Sequence, residues 1–351
     1  MALILYCMAL IASFYLLAEV SDRYFVVSLD QIAERLKMSH EMAGATLMAI
    51  GSSAPELFVA IISLIRSGDH SDIGIGTIVG SALFNILVII GASAIVKNAK
   101  LVWQPVVRDF IFYGISVVAL YLVLKDGEIS WIESLCMLAS YSLYLLAVMK
   151  WHKLFNYSDD DTMEEEEEED DDLKGWKIIF LPLRIIIEKI FPSTKNYFIT
   201  FLFSILMIAL LCWVLVESAI GISHILQVPE VVIALTVLAV GTSIPDMVSS
   251  VIVAKQGRGG MAVSNAVGSN IFDILIGLGL PWLIMSIASG KAIPTNSETL
   301  SESVLLLFAS VALLFLVFLF SRWRINKIMG YILIMIYILY LGREVINIYL
   351  Q

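Results

Sequence analysis

The sequence GSSAPELFVA occupies residues 51–60, inside an apolar run, and GTSIPDMVSS occupies residues 241–250, inside another. Each stretch holds two hydroxyl side chains, a proline and then a carboxylate, in a segment with the composition of a membrane helix. A charge at the centre of a membrane helix costs at least about 2.5–3.5 kcal/mol on insertion and marks a functional position by default. Because the combination occurs twice, we interpret it as functional rather than structural.

The composition around these two stretches indicates a helical membrane protein. Of 351 residues, 59% are apolar, the mean hydropathy is +0.89, and 15% are charged, against about 25% in soluble domains. Several apolar runs reach the roughly 20 residues that cross a bilayer, and alternating segments typical of membrane barrels do not appear. The first run lacks the basic start and the cleavage site of a signal peptide, so we expect it to be a span.

The apolar runs predict ten membrane spans. They cover residues 3–20, 41–65, 73–96, 106–124, 129–149, 197–218, 229–254, 262–288, 303–321 and 328–347. With ten spans, 18 of the 22 Lys and Arg residues lie on the side of the loops that follow odd-numbered spans. Basic loops face the cytoplasm, so both termini are predicted to lie outside. The membrane is predicted to be a plasma membrane or an inner cell membrane.

The central connection, residues 150–196, is predicted to be a cytoplasmic loop. The net charge of −10 comes from residues 159–172, which carry twelve acids. We expect this tract to be solvated and disordered. Residues 173–195 combine apolar bulk with frequent Lys and Arg, which predicts an amphipathic helix on the membrane surface. The loop divides the chain into a five-helix repeat at 1–149 and a second one at 197–351.

The first evidence for the repeat is the pair of stretches quoted above. TLMAIGSSAPELFVAI (46–61) matches TVLAVGTSIPDMVSSV (236–251) at a constant offset of 190. The match pairs Glu56 with Asp246. A second acid-bearing segment therefore stands at the equivalent place in the second half.

Another pair of segments repeats further along each half. TIVGSALFNILVIIG (77–91) matches NAVGSNIFDILIGLG (265–279) at an offset of 188, which pairs Asn85 with Asp273. Five spans per half place the second copy upside down relative to the first. Inverted repeats with broken helices are typical of secondary transporters, whose site lies at the midplane between the copies. The predicted fold is therefore an all-α polytopic membrane protein of ten helices in two inverted five-helix repeats with broken core helices.

The spacing of polar residues predicts an oxygen-lined cation site. On a helix, Glu56 shares a face with the residues three, four and seven positions before it, and Asp246 does the same. Pro55 and Pro245 cannot donate to the carbonyls four residues earlier, and hard cations such as Ca²⁺ take about 6–8 oxygen ligands. The candidate residues are Ala49, Gly51, Ser52, Ser53, Pro55, Glu56, Ser81 and Asn85 in the first half, and Ala239, Gly241, Thr242, Ser243, Pro245, Asp246, Ser269 and Asp273 in the second.

At GSSAPEL, GTSIPD and GSNIFDI the sequence resembles the cation/Ca²⁺ exchanger superfamily, and most closely its potassium-dependent sodium/calcium exchangers. The resemblance implies an antiporter with a cavity alternately open to each side, gated by the first and sixth helices. It implies that Glu56 and Asp246 are the central Ca²⁺ and Na⁺ ligands and that Asn85 and Asp273 line the centre. It further implies hydroxyl support from Ser52, Ser53, Ser81, Thr242, Ser243 and Ser269, and flanking Na⁺ sites at the carbonyls of Ala49 and Ala239.

The same resemblance implies that Asp273 binds K⁺, which is transported together with Ca²⁺. It implies no cofactor besides the transported Ca²⁺, Na⁺ and K⁺, no nucleic-acid partner, and transport by a monomer in the lipid bilayer. The loop at 150–196 leaves no room for a folded calcium-sensor domain.

Four alternatives stay open at the level of the sequence. Potassium-independent Na⁺/Ca²⁺ exchange and Ca²⁺/H⁺ exchange need the same fold. A cation channel would use the acids to line a continuous pore. An intramembrane enzyme is the fourth, although no HExxH motif is present and Ser52 and Ser53 have no histidine nearby in sequence, so no catalytic residue is predicted.

Overall fold

A computed structural model describes residues 1–35, 49–66, 70–155, 181–191, 196–295 and 297–350, and it is built almost entirely of helices. The α-helices of these residues are α1 Ala2–Val20, α2 Val27–Arg35, α3 Ala49–Ser52, α4 Ala54–Ile65, α5 Ser71–Phe84, α6 Ile90–Val96, α7 Trp103–Leu124, α8 Trp131–Leu154, α9 Leu181–Ile190, α10 Tyr197–Leu226, α11 Glu230–Ile233, α12 Ala239–Thr242, α13 Ile244–Lys255, α14 Gly259–Phe272, α15 Gly279–Ser289, α16 Ser297–Phe320 and α17 Lys327–Leu350.

Stretches of π-helix and short β-strands join several of these helices. The π-helical stretches are Ser21–Val26, Asn85–Ile89, Ala234–Leu238 and Asp273–Leu278. The strands are β1 Ala99–Lys100, β2 Glu128–Ile129, β3 Ile293–Pro294 and β4 Arg324–Ile325, and antiparallel pairing joins β1 to β4 and β2 to β3. The pairs tie together connections that are far apart in the chain.

Eight helical segments of the described residues are long and apolar enough to cross a membrane, and they coincide with eight of the ten predicted spans. A ninth forms if the pair Glu230–Thr242 and Ile244–Lys255, bent by 43°, counts as one span; it coincides with the prediction at 229–254. The predicted span 41–65 lies partly outside the described residues, and its described end contains the apolar helix α4. The chain is an integral membrane protein.

Two predicted span boundaries are wrong. The first helix continues past residue 20 through a π-helical stretch into α2, and its apolar span reaches Leu29. An ion pair between Arg23 and Glu19 at spacing i, i+4, with a nitrogen–oxygen distance of 2.6 Å, lets the helix continue through charged residues. The sixth span continues past residue 218 to Leu226, where the left-handed Gln227 ends it.

The helix is interrupted at a single residue just before each of the two prolines. Ser53 separates α3 from α4 with φ −95° and ψ 8°, and Ser243 separates α12 from α13 with φ −87° and ψ 2°. Pro55 and Pro245 stand in the first turn of the helix that follows, a position where proline's missing N–H has no partner to lose. The backbone thus turns at equivalent places in both halves.

The helix α5 with its continuation to Val96 lies at the centre of the molecule. In its most apolar window 94% of the residues are buried, against 22% for the first span. Gly80 permits this packing, because a Cβ there would collide with the Leu235 carbonyl oxygen and the Ala239 side chain. The backbones therefore approach closely at the VGSA sequence, whereas Gly268 in the VGSN sequence has no such tight contact.

The helices α1 and α10 pack against each other and share one hydrophobic cluster, which also includes residues of α4 and α9. A second, larger cluster joins α5, α7, α8, α14, α16 and α17. The first helix of each half therefore packs with its counterpart, beside the central helices.

Local signals explain the charges inside two predicted spans. Glu133 belongs to a capping box at the start of α8: its Oε2 accepts from the Ser130 backbone N–H at 2.8 Å, and the Ser130 hydroxyl accepts from its N–H. Arg343 in α17 pairs with Glu302 of α16 at 3.0 Å. Glu133 and Arg343 therefore both stand near helix ends, and each has a polar partner.

The central loop is described in part. The structure has a helix, α9, within the region predicted as amphipathic, and it contacts α1 through the ion pair between Arg184 and Glu19, at 3.8 Å. The Phe191 ring stacks on Tyr24 with centroids 3.9 Å apart. The acidic tract at 159–172 lies outside the described residues.

Candidate functional site

The two chain breaks bring Glu56 and Ser243 of opposite halves together. Glu56 follows the first break, and its Oε1 lies 3.4 Å from the Ser243 hydroxyl at the second break. The Ser81 hydroxyl of α5 lies 3.4 Å from the same Oε1 and 2.6 Å from the Ser243 hydroxyl. One carboxylate oxygen therefore accepts from both halves of the chain.

Asp246 has an equivalent environment. The Asn85 side-chain amide, at the start of a π-helical stretch, donates to Asp246 Oδ2 at 3.5 Å and to the Ser269 hydroxyl at 3.2 Å. The Ser52 side chain is a further hydrogen-bonding neighbour of Asp246. Each acid is thus held by a residue of the opposite repeat segment.

Asp273 begins a π-helical stretch as Asn85 does. π-Helical stretches inside α-helices occur frequently at functional sites. The side chains of Glu56, Asp246 and Asp273 are at most 1% exposed. The site is therefore closed to solvent in this conformation.

Several buried oxygen atoms of the site have no hydrogen-bond partner within the described part of the chain. They are Ser53 Oγ, Glu56 Oε2, Asn85 Oδ1, Asp246 Oδ1 and both carboxylate oxygens of Asp273. A buried polar atom without a partner costs about 1–3 kcal/mol, and a buried charge costs more. A bound hard cation satisfies such oxygens, so the donor set fits Na⁺, K⁺ or Ca²⁺.

The site differs from a resident transition-metal centre. Among the described residues, no three His, Cys, Asp or Glu side chains converge closely enough to hold one metal ion together. The neighbours of the carboxylates are instead serine hydroxyls and the Asn85 amide, which donates through its NH₂ to Asp246. This chemistry suits hard cations of groups 1 and 2, which bind oxygen ligands.

The flanking candidates are placed as follows. The Thr242 hydroxyl donates to the Leu238 carbonyl of its own helix at 3.1 Å. The Ala239 carbonyl accepts from the Ser243 N–H at 3.3 Å and, more weakly, from the Thr242 hydroxyl at 3.5 Å. Ala49 begins α3. Whether the Ala49 and Ala239 carbonyls bind Na⁺ stays a prediction.

Pro55 leaves the Gly51 carbonyl without its helical donor, and whether that carbonyl also binds an ion stays a prediction. The Ser21 hydroxyl donates to that carbonyl at 3.3 Å, so the freed group already has a partner on the first helix. At Gly241 the equivalent space is filled by the Phe14 ring of α1, which a Cβ would hit. Both glycines beside the breaks therefore contact the first helix.

Sequence reasoning missed Asn270, which lies beside the site and is completely buried. Its Nδ2 donates to the Ala82 carbonyl at 3.1 Å and to the Tyr113 hydroxyl at 2.9 Å, and its Oδ1 accepts from Asn85 at 2.8 Å. The signal was a mismatch between the repeats, since GSN in one half stands opposite GSA in the other. Ser21 and Tyr113 carry no sequence signal of this kind.

These features define a helical membrane protein with a closed, oxygen-lined site between two broken helices. The family model described as "Sodium/calcium exchanger protein" matches residues 6–150 and 196–344. The chain belongs to this family, and so to the cation/Ca²⁺ exchanger superfamily.

Individual relatives agree with that assignment. Human "Sodium/potassium/calcium exchanger 5" is 32% identical over 411 residues, which cover 96% of this chain and 82% of that protein. Human "Sodium/potassium/calcium exchanger 4" is 28% identical over 503 residues, covering 97% of this chain and 80% of that protein. Among solved structures, the sodium-calcium exchanger NCX_Mj soaked with 100 mM Na⁺ and 10 mM Sr²⁺ matches with a TM-score of 0.60, 25% identity and coverage of 97% and 98% of the two chains.

Proposed function

We propose that this chain is a secondary active antiporter that exchanges Na⁺ for Ca²⁺ by alternating access, with K⁺ moved together with Ca²⁺. The relatives are named as exchangers of these ions. The observation that carries the proposal is the buried cluster of oxygens without hydrogen-bond partners around Glu56, Asp246 and Asp273. A cluster of this charge is stable only when protons or cations neutralise it.

In this proposal Glu56 and Asp246 are the central ligands, supported by the hydroxyls of Ser52, Ser53, Ser81, Thr242, Ser243 and Ser269. Because Ser81 and Ser243 bond to each other and to Glu56, an ion held by Glu56 is within reach of oxygens from both halves. Several Na⁺ ions or one Ca²⁺ with K⁺ provide similar positive charge. Competition between these loads for shared oxygens accounts for exchange.

Alternating access is proposed to involve movement of α1 and α10 against the central helices. Supporting this, the two helices pack on each other and share one hydrophobic cluster. On α1, Phe14 contacts Gly241 beside one break, and the Ser21 hydroxyl holds the Gly51 carbonyl beside the other. A shift of the first helix therefore changes contacts at both breaks. The ions drive this shift through different affinities for the two states.

We propose ten spans in two inverted repeats, 1–149 and 197–351, around a cytoplasmic loop at 150–196, with both termini outside. Contacts between connections and span ends support this topology, because each of six joins two positions that the topology places on the same side. These six pairs are β1 with β4, β2 with β3, Arg23 with Glu188, Lys97 with Lys255, His70 with Glu230 and Ser71 with Pro294.

Two further observations support the exchanger over the channel and enzyme alternatives. The acids lie in a closed site rather than along an open pore, since they are at most 1% exposed. The serines of the site bond to carboxylates and to each other rather than to a histidine, so no nucleophile–base pair forms among these described residues.

The test is ⁴⁵Ca²⁺ uptake into proteoliposomes that contain the purified chain. We expect uptake when Na⁺ is loaded inside and diluted outside, and little uptake when a pH gradient replaces the Na⁺ gradient. External K⁺ is expected to stimulate it. Uptake driven by the pH gradient alone would instead indicate Ca²⁺/H⁺ exchange, and uptake without K⁺ stimulation would indicate potassium-independent exchange.

A further inference from the structure

We propose that Asn270 is a positioning residue, which fixes the side-chain amide of Asn85 so that its carbonyl oxygen faces the transported cation. The inference rests on the proposed function. It adds the residue that determines which atom of the Asn85 amide faces the cation. It follows from the hydrogen bonds of three buried side chains, Asn85, Asn270 and Tyr113.

The orientation of Asn270 is set by the backbone. Its side chain faces the Ala82 carbonyl at 3.1 Å, and a carbonyl only accepts hydrogen bonds, so the group facing it is the NH₂. The Tyr113 hydroxyl accepts from the same NH₂ at 2.9 Å. Because Asn270 is completely buried, water cannot substitute for these partners. The opposite end of the amide, Oδ1, is left to face Asn85.

The orientation of Asn85 then follows from that of Asn270. Asn270 Oδ1 lies 2.8 Å from the Asn85 side chain, and it too only accepts, so Asn85 presents its NH₂ there. The second N–H of that NH₂ faces Ser269 Oγ at 3.2 Å and Asp246 Oδ2 at 3.5 Å, both of which accept. All three neighbours favour the same orientation.

The consequence is that Asn85 Oδ1 is the free end of the amide. It is buried and has no hydrogen-bond partner in the described part of the chain, as is the case for Asp246 Oδ1 and Glu56 Oε2. A flipped amide would set its oxygen against Asn270 Oδ1 and would turn N–H groups, which repel a cation, toward the site. Asn270 therefore decides whether Asn85 attracts or repels the cargo.

A double-mutant cycle tests this role. Asn270→Ala is expected to raise the KM for Ca²⁺ by roughly ten-fold, the effect typical of losing a residue that orients a metal ligand. In an Asn85→Asp background the same substitution is expected to change KM by less than about two-fold, because a carboxylate offers oxygen in either orientation. Ca²⁺-dependent thermal stabilisation of the purified protein reports binding independently of transport.

Matched variants separate positioning from folding. Tyr113→Phe removes one acceptor from Asn270 and keeps the ring, so it is expected to raise KM by about two- to three-fold while kcat stays the same. Asn265→Ala is the control on the same helix, since Asn265 donates to Ser250 Oγ at 3.0 Å, away from Asn85, and its KM is expected to match wild type.

The outcomes are distinct. If wild type exchanges ions, two results would overturn the positioning role. One is that Asn270→Ala raises KM equally in the wild-type and Asn85→Asp backgrounds. The other is that neither Asn270→Ala nor Tyr113→Phe raises KM. If Asn270→Ala does not purify as a monodisperse protein, the KM and Ca²⁺-dependent stabilisation of Tyr113→Phe decide the question. Absence of Na⁺-driven uptake by wild type would contradict the proposed function instead.

Discussion

Two carboxylates from opposite halves of the chain, Glu56 and Asp246, are completely buried beside serine and asparagine side chains of the other half. Ion pairs with Lys or Arg, which usually accompany buried acids, are not among their described contacts. At the residue scale the acids are therefore available to a mobile cation. The hydroxyl and amide partners share the charge without neutralising it.

We expect Glu56→Gln to lower Na⁺-driven Ca²⁺ uptake by about 100-fold or more, since removing one charged partner of a buried ion costs about 3 kcal/mol or more. Proteoliposome uptake of ⁴⁵Ca²⁺ measures this. The control is Glu128→Gln, because Glu128 is exposed on β2 and its loss should leave uptake unchanged. Wild-type uptake by Glu56→Gln would contradict its assignment as a ligand.

Asp273 provides the second residue-scale prediction. Both of its carboxylate oxygens are buried without a hydrogen-bond partner in the described chain, so its charge needs a proton or a cation, and we propose K⁺. We expect Asp273→Asn to remove K⁺ stimulation of Ca²⁺ uptake while exchange itself stays measurable. Titration of external K⁺ at fixed Na⁺ and Ca²⁺ gradients tests this. Unchanged K⁺ stimulation in the variant would rule out the assignment.

Much of the site could be predicted from the sequence because it is repeated. Glu56 matches Asp246 and Asn85 matches Asp273 in the two copies, and the structure buries all four side chains. The sequence marks Asn270 only by the mismatch of GSN with GSA between the repeats, which does not reveal its partners, and it gives no signal for Ser21. Their roles depend on which backbone carbonyl they reach, Ala82 or Gly51, and that is set by helix packing.

At the scale of elements, close packing of the central helix depends on Gly80. Its Cα faces the Leu235 carbonyl of the facing helix, so the backbones approach more closely than a side chain allows. Such approaches are typical of membrane helices, which associate through packing of small residues. The contact holds α5, which carries Ser81, against the segment that leads into the second break.

We expect Gly80→Ala to destabilise the purified protein by about 1–3 kcal/mol through overpacking. A thermal melt in detergent measures the change as a lower apparent Tm. Gly114→Ala is the control, because a Cβ at Gly114 meets no atom within 4 Å, and its Tm should equal or exceed that of wild type. A wild-type Tm for Gly80→Ala would show that the helices are not in this close contact.

The breaks in the elements followed from Pro55 and Pro245, because proline in a helix interior removes a hydrogen bond and clashes with the preceding turn. The π-helical stretches at Asn85 and Asp273 did not follow, since an inserted turn leaves no mark in composition or apolar periodicity. The long first and sixth helices were underestimated for a related reason. The first helix continues through charged residues because Glu19 and Arg23 pair within it, and composition alone does not reveal such a pair.

For the whole molecule, the charge pattern and the contacts between loops support the same topology. Eighteen of the 22 basic residues are predicted to lie on one side of the membrane. Each strand pair joins two loops that are predicted to lie on the same side. The acidic tract at 159–172 accounts for the net charge but lies outside the described residues. Its role therefore has no structural argument.

Labelling of single cysteines tests this topology. The background lacks Cys7 and Cys136, which are exposed free cysteines. In it, Lys291→Cys is expected to react with a membrane-impermeant maleimide on intact cells. Lys100→Cys is expected to react only after the membrane is opened. Both positions are exposed beside β-strands at opposite predicted ends. Labelling of Lys100→Cys on intact cells would contradict the proposed orientation.

The account depends on one shared site, in which Glu56 and Asp246 hold the same cation load between broken helices. Anomalous diffraction from crystals soaked in Sr²⁺, a Ca²⁺ substitute, locates that load directly. The prediction is a peak within about 2.3–2.8 Å of carboxylate oxygens of both residues, and its displacement when Na⁺ is raised. A peak that contacts neither carboxylate, or one that high Na⁺ leaves unchanged, would contradict it.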